Sequence, residues 1–280
     1  MIAVVYSGSK TAFWKIARDG KTIADCTMPG INPCFNDQKA ILQFLHKKTT
    51  LINHAESIKK IYVFAAGASS KERRNELAET LGLFFKNSKI KVRDDLYGAA
   101  ISACYNNNGI VGILGSGSNC SYFDGKKLEK NNFGLGYVLG DEGSANNLGK
   151  IILKNFTQGK LPKDLQLEFT AKYNLDRPQI LDRIYKKPMV QQFLSSFFDF
   201  YISHRNHPYI AAILNSAFEN YFKTYLLPLV KAHPEKAIHF VGIVAGNFPD
   251  ELREIAKKHQ LEITSITKEP IYNLLNYYSN

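Results

Sequence analysis

Short apolar runs and amphipathic stretches alternate along the chain, and this pattern predicts a mixed α/β protein. The apolar runs are too short for helices, whereas the amphipathic stretches repeat their apolar positions at helical spacing. Strands are predicted at 2–6, 12–17, 21–28, 61–65, 90–92, 110–114, 121–124, 127–129 and 238–241. Helices are predicted at 37–51, 70–83, 209–230, 250–258 and 271–278, with most of 144–231 helical.

The order of these elements repeats within the chain. A strand, a glycine turn, a second strand, a turn and a third strand occur from residue 2 and again from residue 110. In the first copy, Asp19-Gly20 is a typical hairpin turn between the second and third strands. The repeat predicts two related α/β halves, each opened by a three-stranded antiparallel meander.

Composition and charge narrow the class of protein. The 280 residues are 45% hydrophobic and 22% charged, as in ordinary globular proteins. Lysine and arginine number 36 against 25 acidic residues, a net charge of +11. The basic residues are scattered in short pairs and form no nucleic-acid motif, so a solvated surface or a small anionic ligand such as a nucleotide explains the charge better than nucleic acid.

The cellular location is predicted from the length of the apolar runs, from the first residues and from the cysteines. No apolar run approaches the ~18 residues of a membrane helix, and the first residues lack a basic lead and an apolar signal core. The four cysteines, Cys26, Cys34, Cys104 and Cys120, show neither a C-x-x-C pair nor zinc-site spacing. The sequence therefore predicts a cytoplasmic protein with reduced thiols and no membrane partner.

Three loops rich in small residues follow apolar strands. They read Ser7-Gly8-Ser9-Lys10-Thr11, Gly115-Ser116-Gly117-Ser118-Asn119 and Gly242-Ile243-Val244-Ala245-Gly246. Such residues let backbone N–H groups approach a phosphate, although glycines after strands are often only structural. None of the loops matches the P-loop or the G-x-G-x-x-G pattern before a helix, so phosphate would bind in hairpin turns.

Two acidic segments are candidates for chemistry. Asp94 and Asp95 end a buried strand, where one carboxylate could serve as a general base and the other could cap the following helix. We expect the base to be Asp95. The second segment, 134–145, combines four glycines with Asp141 and Glu142, which could bind hydroxyl groups or approach a metal ion through water.

Three motifs together resemble a known family. They are the segments 112–119, 94–100 and 134–149, and Leu139-Gly140-Asp141-Glu142-Gly143-Ser144-Ala145 is the most specific of their pieces. The sequence resembles the N-acetylglucosamine kinases of the BadF/BadG ATPase-like group, within the sugar kinase, Hsp70 and actin superfamily, over nearly its whole length. The resemblance implies two RNase H-like (actin-like ATPase) lobes around a nucleotide and sugar cleft, made of 1–107 plus 268–280 and of 108–267.

The resemblance also implies roles for individual residues. Asp95 would deprotonate the 6-hydroxyl of an amino sugar, with ATP as phosphoryl donor and Mg²⁺ as its cation; no residue is assigned to the metal. The first loop and Gly115, Ser116, Gly117 and Ser118 would bind phosphates, and Gly242 and Ala245 would lie against adenosine. Asn32, Ser69, Asn119, Tyr137 and Asp141 would line the sugar pocket.

One departure from the family pattern leaves an alternative open. The first phosphate loop of the family reads D-x-G-x-T-K-T or close to it, whereas Tyr6 stands at the acidic position here. A phenol carries no charge at neutral pH, so a catalytically impaired sensor of sugar or nucleotide is the alternative to an active kinase. The dehydratase activators of the same group need a cysteine pair for an iron–sulfur cluster, which this chain lacks.

The predicted helical region also holds a cluster of aromatic residues. Core packing is the favoured interpretation of this cluster, and a homodimer contact is the other. Its members are Phe193, Phe197, Phe198, Phe200 and Tyr201.

Overall fold

A computed structural model describes residues 1–279, and its first half is built on a five-stranded sheet. The strands are β1 (Ile2–Ser7), β2 (Thr11–Arg18), β3 (Lys21–Pro29), β4 (Lys60–Ala65) and β5 (Lys89–Asp94). They lie in the order β3-β2-β1-β4-β5, with the first three antiparallel and β1, β4 and β5 parallel. The predicted meander is therefore confirmed in this lobe.

The strand register brings the first glycine loop and the acidic pair to one edge of this sheet. Ser7 pairs with Ala65, and Ala65 pairs with Asp94, so the ends of β1, β4 and β5 are level. Ligands of α/β proteins bind outside the carboxyl ends of parallel strands. The first glycine loop and the acidic pair therefore face the same cleft.

The helices of this lobe are α1 (Gln38–His46), α2 (Thr49–His54), α3 (Lys71–Phe84) and α4 (Asp95–Cys104). The single helix predicted at 37–51 is wrong, because Lys48 is extended and separates α1 from α2. Ser70 caps α3 at the start of the predicted helix, since its side chain accepts a hydrogen bond from the Arg73 N–H.

The second lobe has a four-stranded sheet. Its strands are β6 (Gly109–Leu114), β7 (Ser118–Phe123), β8 (Ile238–Val241) and β9 (Ile263–Thr267), in the order β7-β6-β8-β9. The strand predicted at 127–129 is wrong, because only Leu128 forms a bridge, to Phe123. The Asp124 carboxylate accepts the N–H groups of Lys126 and Lys127, which turns the chain before a ladder can form.

Helices make up most of the rest of the second lobe. They are α5 (Gly136–Leu139), α6 (Ala145–Thr157), α7 (Lys163–Tyr173), α8 (Arg177–Tyr185), α9 (Val190–Ser195), α10 (Phe198–Ser203), α11 (Pro208–Tyr221), a π-helical segment (Phe222–Leu226), α12 (Leu227–Ala232), α13 (Ile243–Asn247) and α14 (Pro249–Lys258). The last helix, α15 (Ile271–Ser279), packs on the first lobe. The predicted aromatic cluster, 193–201, is buried in the core of this lobe, which confirms core packing. A homodimer stays a prediction without support from that cluster.

Helix α4 lies between the two sheets. It contacts β4 and β5 of the first sheet and β6, β7 and β8 of the second. Gly98 permits the close approach, because a Cβ atom there would lie 2.7 Å from Cβ of Phe64. Helix α15 packs against α4, β1 and β2, so the end of the chain returns to the first lobe. The exact division into 1–107 plus 268–280 and 108–267 stays a prediction.

Truncation of Leu274 tests the core between the sheets. Leu274 is fully buried there on α15, so Leu274→Ala should lower the free energy of unfolding by about 2–4 kcal/mol. The matched control is Leu83→Ala on α3, where the side chain is 54% exposed and the change should stay within about 0.5 kcal/mol. Urea unfolding measures both variants, and equal losses would contradict the placement of α15.

Candidate active site

The first glycine loop is a tight turn between β1 and β2. The Gly8 N–H donates to the Thr11 carbonyl at 3.1 Å, and the Gly30 N–H donates to the Lys10 carbonyl at 3.0 Å. Ser7 is fully buried, and its hydroxyl accepts the Ile31 N–H at 2.9 Å. Ser7 thus shapes the loop from behind, whereas Ser9, Lys10 and Thr11 keep solvent exposure, most of all Lys10.

The second glycine loop is held by the N-terminus of α6. The N–H groups of Ala145 and Asn146 donate to the carbonyls of Gly115 and Ser116 at 2.9 and 3.0 Å. The positive end of the α6 dipole therefore lies against the 115–118 turn. This arrangement favours an anion at the loop, in agreement with the predicted phosphate contacts.

The third loop packs directly on the second. Gly242 has φ +126°, and a Cβ atom there would collide with the carbonyl of Leu114. Because α13 begins directly after Gly242, this turn connects a strand to a helix, and the prediction of a hairpin is wrong for it. The Ala245 side chain is fully buried in the lobe core, so it supports the loop from behind and Ile243 is the exposed side chain.

Asp94 and Asp95 have different roles at the start of α4. Asp94 is the N-cap, as its carboxylate accepts the Tyr97 N–H at 2.8 Å. Asp95 is half-buried and accepts only a local bond from the Leu96 N–H at 3.1 Å. Burial, helped by the neighbouring charge of Asp94 and more weakly by Asp141, raises the pKa of Asp95 to about 7. A carboxylate of that pKa suits general base catalysis near neutral pH.

Tyr6 lies beside this acidic pair. Burial, together with the charges of Asp95 and Asp94, raises the pKa of the Tyr6 phenol well above its ordinary value. The side chain is therefore neutral, and it supplies no charge to a cation at the position where the family pattern has an acid.

Asp141 lies against the second glycine loop. It is 6% exposed, and its carboxylate accepts the Ser118 N–H at 3.1 Å beside Gly117. Burial raises its pKa, against the opposing effects of Ser118, the Asn146 side chain and the Lys150 charge. The neighbouring Glu142 instead accepts the Tyr225 hydroxyl, so Asp141 is the acid of this pair that faces the loop.

The predicted sugar residues divide into three situations. Asn32 is 4% exposed and donates from Nδ2 to the Ser9 hydroxyl at 3.3 Å, which couples it to the first glycine loop. Ser69 is exposed, and Asn119 is half-buried beside Gly134. Tyr137 is half-buried and packs on the core of the second lobe, and its contact with sugar stays a prediction.

Sequence reasoning missed several residues at this cleft. The exposed apolar side chains of segment 134–140 belong to Leu135, Val138 and Leu139, on either side of Tyr137. Arg74 holds the loop that carries Ser69 by donating to its carbonyl at 2.7 Å. For Arg74, the only signal in the sequence was its position one turn into a capped helix. For Tyr225, the sequence contained no signal of a role at the site.

The carboxylates of the described residues are the candidate ligands of Mg²⁺, the cation that the fold family implies. Within residues 1–279, no group of three or more His, Cys, Asp or Glu side chains could hold a metal ion alone. Mg²⁺ with a nucleotide needs only one or two carboxylates, the other ligands being phosphates and waters. Asp141 fits that requirement, because it is a single carboxylate that lies beside the second loop.

Solved structures resemble the whole chain, although no model of a known protein family and no curated protein matches it. A candidate N-acetylglucosamine kinase from Porphyromonas gingivalis is 31% identical, with a TM-score of 0.93, over 100% of this chain and 99% of its own. The chain belongs to the sugar kinases of the actin-like ATPase fold.

More distant structures agree on the fold of this sugar kinase. A candidate N-acetylglucosamine kinase from Chromobacterium violaceum has a TM-score of 0.69 at 16% identity over 99% of this chain and 98% of its own. A ROK family glucokinase from Streptomyces griseus, solved with glucose and AMPPNP, has a TM-score of 0.58 at 13% identity over 99% and 97%. The predicted fold class is confirmed. Within residues 1–279, no helix of the kinase is long and apolar enough to cross a membrane.

Asp95→Asn should stabilise the kinase at alkaline pH. A carboxyl group whose pKa is raised to about 7 by folding makes stability fall as pH rises from the ordinary aspartate range through about 7. Asparagine does not ionise, so its advantage should be small at pH 5 and on the order of 1 kcal/mol at pH 8. Unfolding at the two pH values, with exposed Asp199→Asn as control, measures the difference; no gain at pH 8 would contradict the burial of Asp95.

Proposed function

We propose that this sugar kinase transfers the γ-phosphoryl group of ATP to the 6-hydroxyl of an amino sugar, with N-acetylglucosamine as first candidate. The proposal extends to membership of the BadF/BadG group and to the residue roles below. The observation that carries it is a half-buried carboxylate, Asp95, with a pKa of about 7 at the cleft edge where the first glycine loop lies. The relatives named as N-acetylglucosamine kinases support the choice of sugar.

Asp95 acts as the general base in this proposal. It accepts the proton of the sugar 6-hydroxyl while that oxygen attacks the γ-phosphorus and the bond to the β-phosphate oxygen breaks. ADP leaves with the bonding electron pair, and the proton stays on Asp95 until solvent removes it. The fixed position of α4 between the sheets holds the base in place for this transfer.

The two hairpin loops bind the phosphates. Backbone N–H groups of 9–10 and 116–117, Lys10 and the α6 dipole provide positive potential for the β- and γ-phosphates. When bound, Mg²⁺ would neutralise phosphate charge, with Asp141 as the residue that holds it through water. Asn32, Ser69, Asn119 and the same Asp141 orient the sugar, whereas Gly242 borders the adenosine.

The impaired sensor suggested by Tyr6 gains no support from the comparisons. A measurement of turnover distinguishes an active kinase from the impaired sensor. ADP release with Mg-ATP should depend on N-acetylglucosamine, and Asp95→Asn should lower kcat by about 10²–10⁴-fold because the base is lost. Tyr6→Phe is the matched control: it removes a neutral hydroxyl beside the same carboxylate and should keep kcat within a few fold.

The panel of acceptors should also include glucosamine and N-acetylmuramic acid. Preference for either would replace N-acetylglucosamine but keep the mechanism. Absence of sugar-dependent ADP release in the native kinase, despite measurable sugar binding, would overturn the proposal in favour of the sensor.

Sugar binding should protect the thiol of Cys34. The Cys34 thiol is exposed. The backbone N–H of Cys34 donates to the Asn32 side chain at 2.9 Å, so this residue lies at the proposed sugar site. Burial raises the pKa of Cys104 to about 11 and that of Cys120 to about 12, which makes both poor nucleophiles. Alkylation of Cys34, followed by peptide mass spectrometry, should slow at least several-fold with N-acetylglucosamine and stay unchanged with an unrelated sugar. Unchanged labelling under saturating sugar would contradict the role of Asn32.

A further inference from the structure

The long helical stretch 208–232 contains an irregularity that faces the acidic motif. Between α11 and α12, the segment Phe222–Leu226 is π-helical. Single π-helical turns are uncommon in proteins and are often found at functional sites. Tyr225 belongs to this turn and is 2% exposed, so its ring is fixed within the core of the second lobe.

The Tyr225 hydroxyl is placed where the acidic motif needs a partner. The N–H of Asp141 donates to Tyr225 Oη at 3.1 Å, and the same hydroxyl donates to the carboxylate of Glu142. The Ser118 hydroxyl in turn donates to the Glu142 carbonyl at 2.8 Å. Tyr225 therefore links the main chain of the motif to a neighbouring acid, and Ser118 ties the same segment to the second glycine loop.

The backbone of Asp141 requires such support. Its φ is 64°, in the left-handed region that residues other than glycine enter only at a cost. This conformation directs its carboxylate at the Ser118 N–H and at Gly117. Without the hydroxyl of Tyr225, the Asp141 N–H would be buried without this acceptor, which favours a different backbone conformation.

We propose that Tyr225 is a positioning residue of the kinase. Through the π-helical turn it holds Asp141 in the left-handed conformation that directs the carboxylate to the phosphate loop. The catalytic part of this inference rests on the proposed function, because it assumes that Asp141 acts on the transferring group or its cation. The structural part, the hold on segment 140–144, does not.

The structural part is tested by hydrogen exchange. In Tyr225→Phe, amide exchange over 140–144 should speed up at least tenfold, whereas the rest of the second lobe should keep its protection. The matched control is Tyr201→Phe, which removes another buried hydroxyl of this lobe, bonded at 2.9 Å to the Leu148 carbonyl. Equal exchange over 140–144 in Tyr225→Phe and the native kinase would overturn the inference, whether or not the kinase is active.

The catalytic part is tested by a double-mutant cycle on kcat/KM. Tyr225→Phe alone should lose about 10- to 100-fold, as expected when a catalytic group is misplaced by a fraction of a bond length. If Tyr225 acts through Asp141, the same change in an Asp141→Asn background should cost less than about threefold. Full additivity of the two losses would overturn the role in positioning, since a general loss of folding would affect both backgrounds alike.

A second variant guards against misfolding of Tyr225→Phe. Glu142→Gln keeps the Tyr225 ring and the bond from the Asp141 N–H but replaces the charged acceptor of the hydroxyl. It should shift exchange and kcat/KM in the same direction by a smaller factor. A native exchange pattern in Glu142→Gln combined with an unfolded Tyr225→Phe would overturn the inference. Absence of sugar-dependent turnover in the native kinase would overturn the proposed function but would leave the exchange result to decide the hold on 140–144.

Discussion

The packing of α4 between the two sheets is the constraint on which the site depends. One helix serves as the wall of both lobes, with Gly98 pressed against Phe64 on one side and contacts to β6 and β8 on the other. Its N-terminus carries Asp95 at the level of the strand ends, where the first glycine loop also lies. The Asp95 carboxylate is therefore fixed by the core, and its position does not depend on a flexible loop.

Electrostatics within the cleft run against the charge of the whole chain. The chain carries +11, yet the carboxyl groups of Asp94, Asp95 and Asp141 are all buried enough for their pKa values to rise. Burial raises these pKa values even though Arg74 and Arg93 act to lower that of Asp94, and Lys150 acts to lower that of Asp141. In the proposed function, Mg²⁺ held beside Asp141 would favour the charged form of that carboxyl group, so ligand binding and ionisation of the cleft should be coupled. The scattered surface lysines contribute only a long-range field that attracts anions.

The sequence predicted the fold better than the site because strands and turns are local, whereas contacts between distant segments are not. Apolar runs and the Asp19-Gly20 turn were enough for the first sheet. The third strand predicted for the second meander does not form, because the Asp124 side chain accepts backbone N–H groups that a strand pair would use. The sequence also could not show the orientation of Ser7 and Ala245. Both residues lie in the loops that the sequence analysis singled out, but their side chains are buried. The cap at the start of α4 was predicted correctly, since capping by Asp94 depends on near neighbours alone. The role of Asp95 as base stays a prediction.

Tyr225 shows what periodicity alone could not have found. A helical wheel drawn over 208–232 assumes 3.6 residues per turn, and the π-helical segment 222–226 breaks that assumption in the middle. Two locally unfavourable features, a π-turn and a left-handed aspartate, each lack a reason by themselves. The Tyr225 hydroxyl joins them across 84 positions of sequence, because it accepts the Asp141 N–H. Departures from regular geometry that meet at a glycine loop are typical of functional sites, where local preferences are broken for the sake of the site.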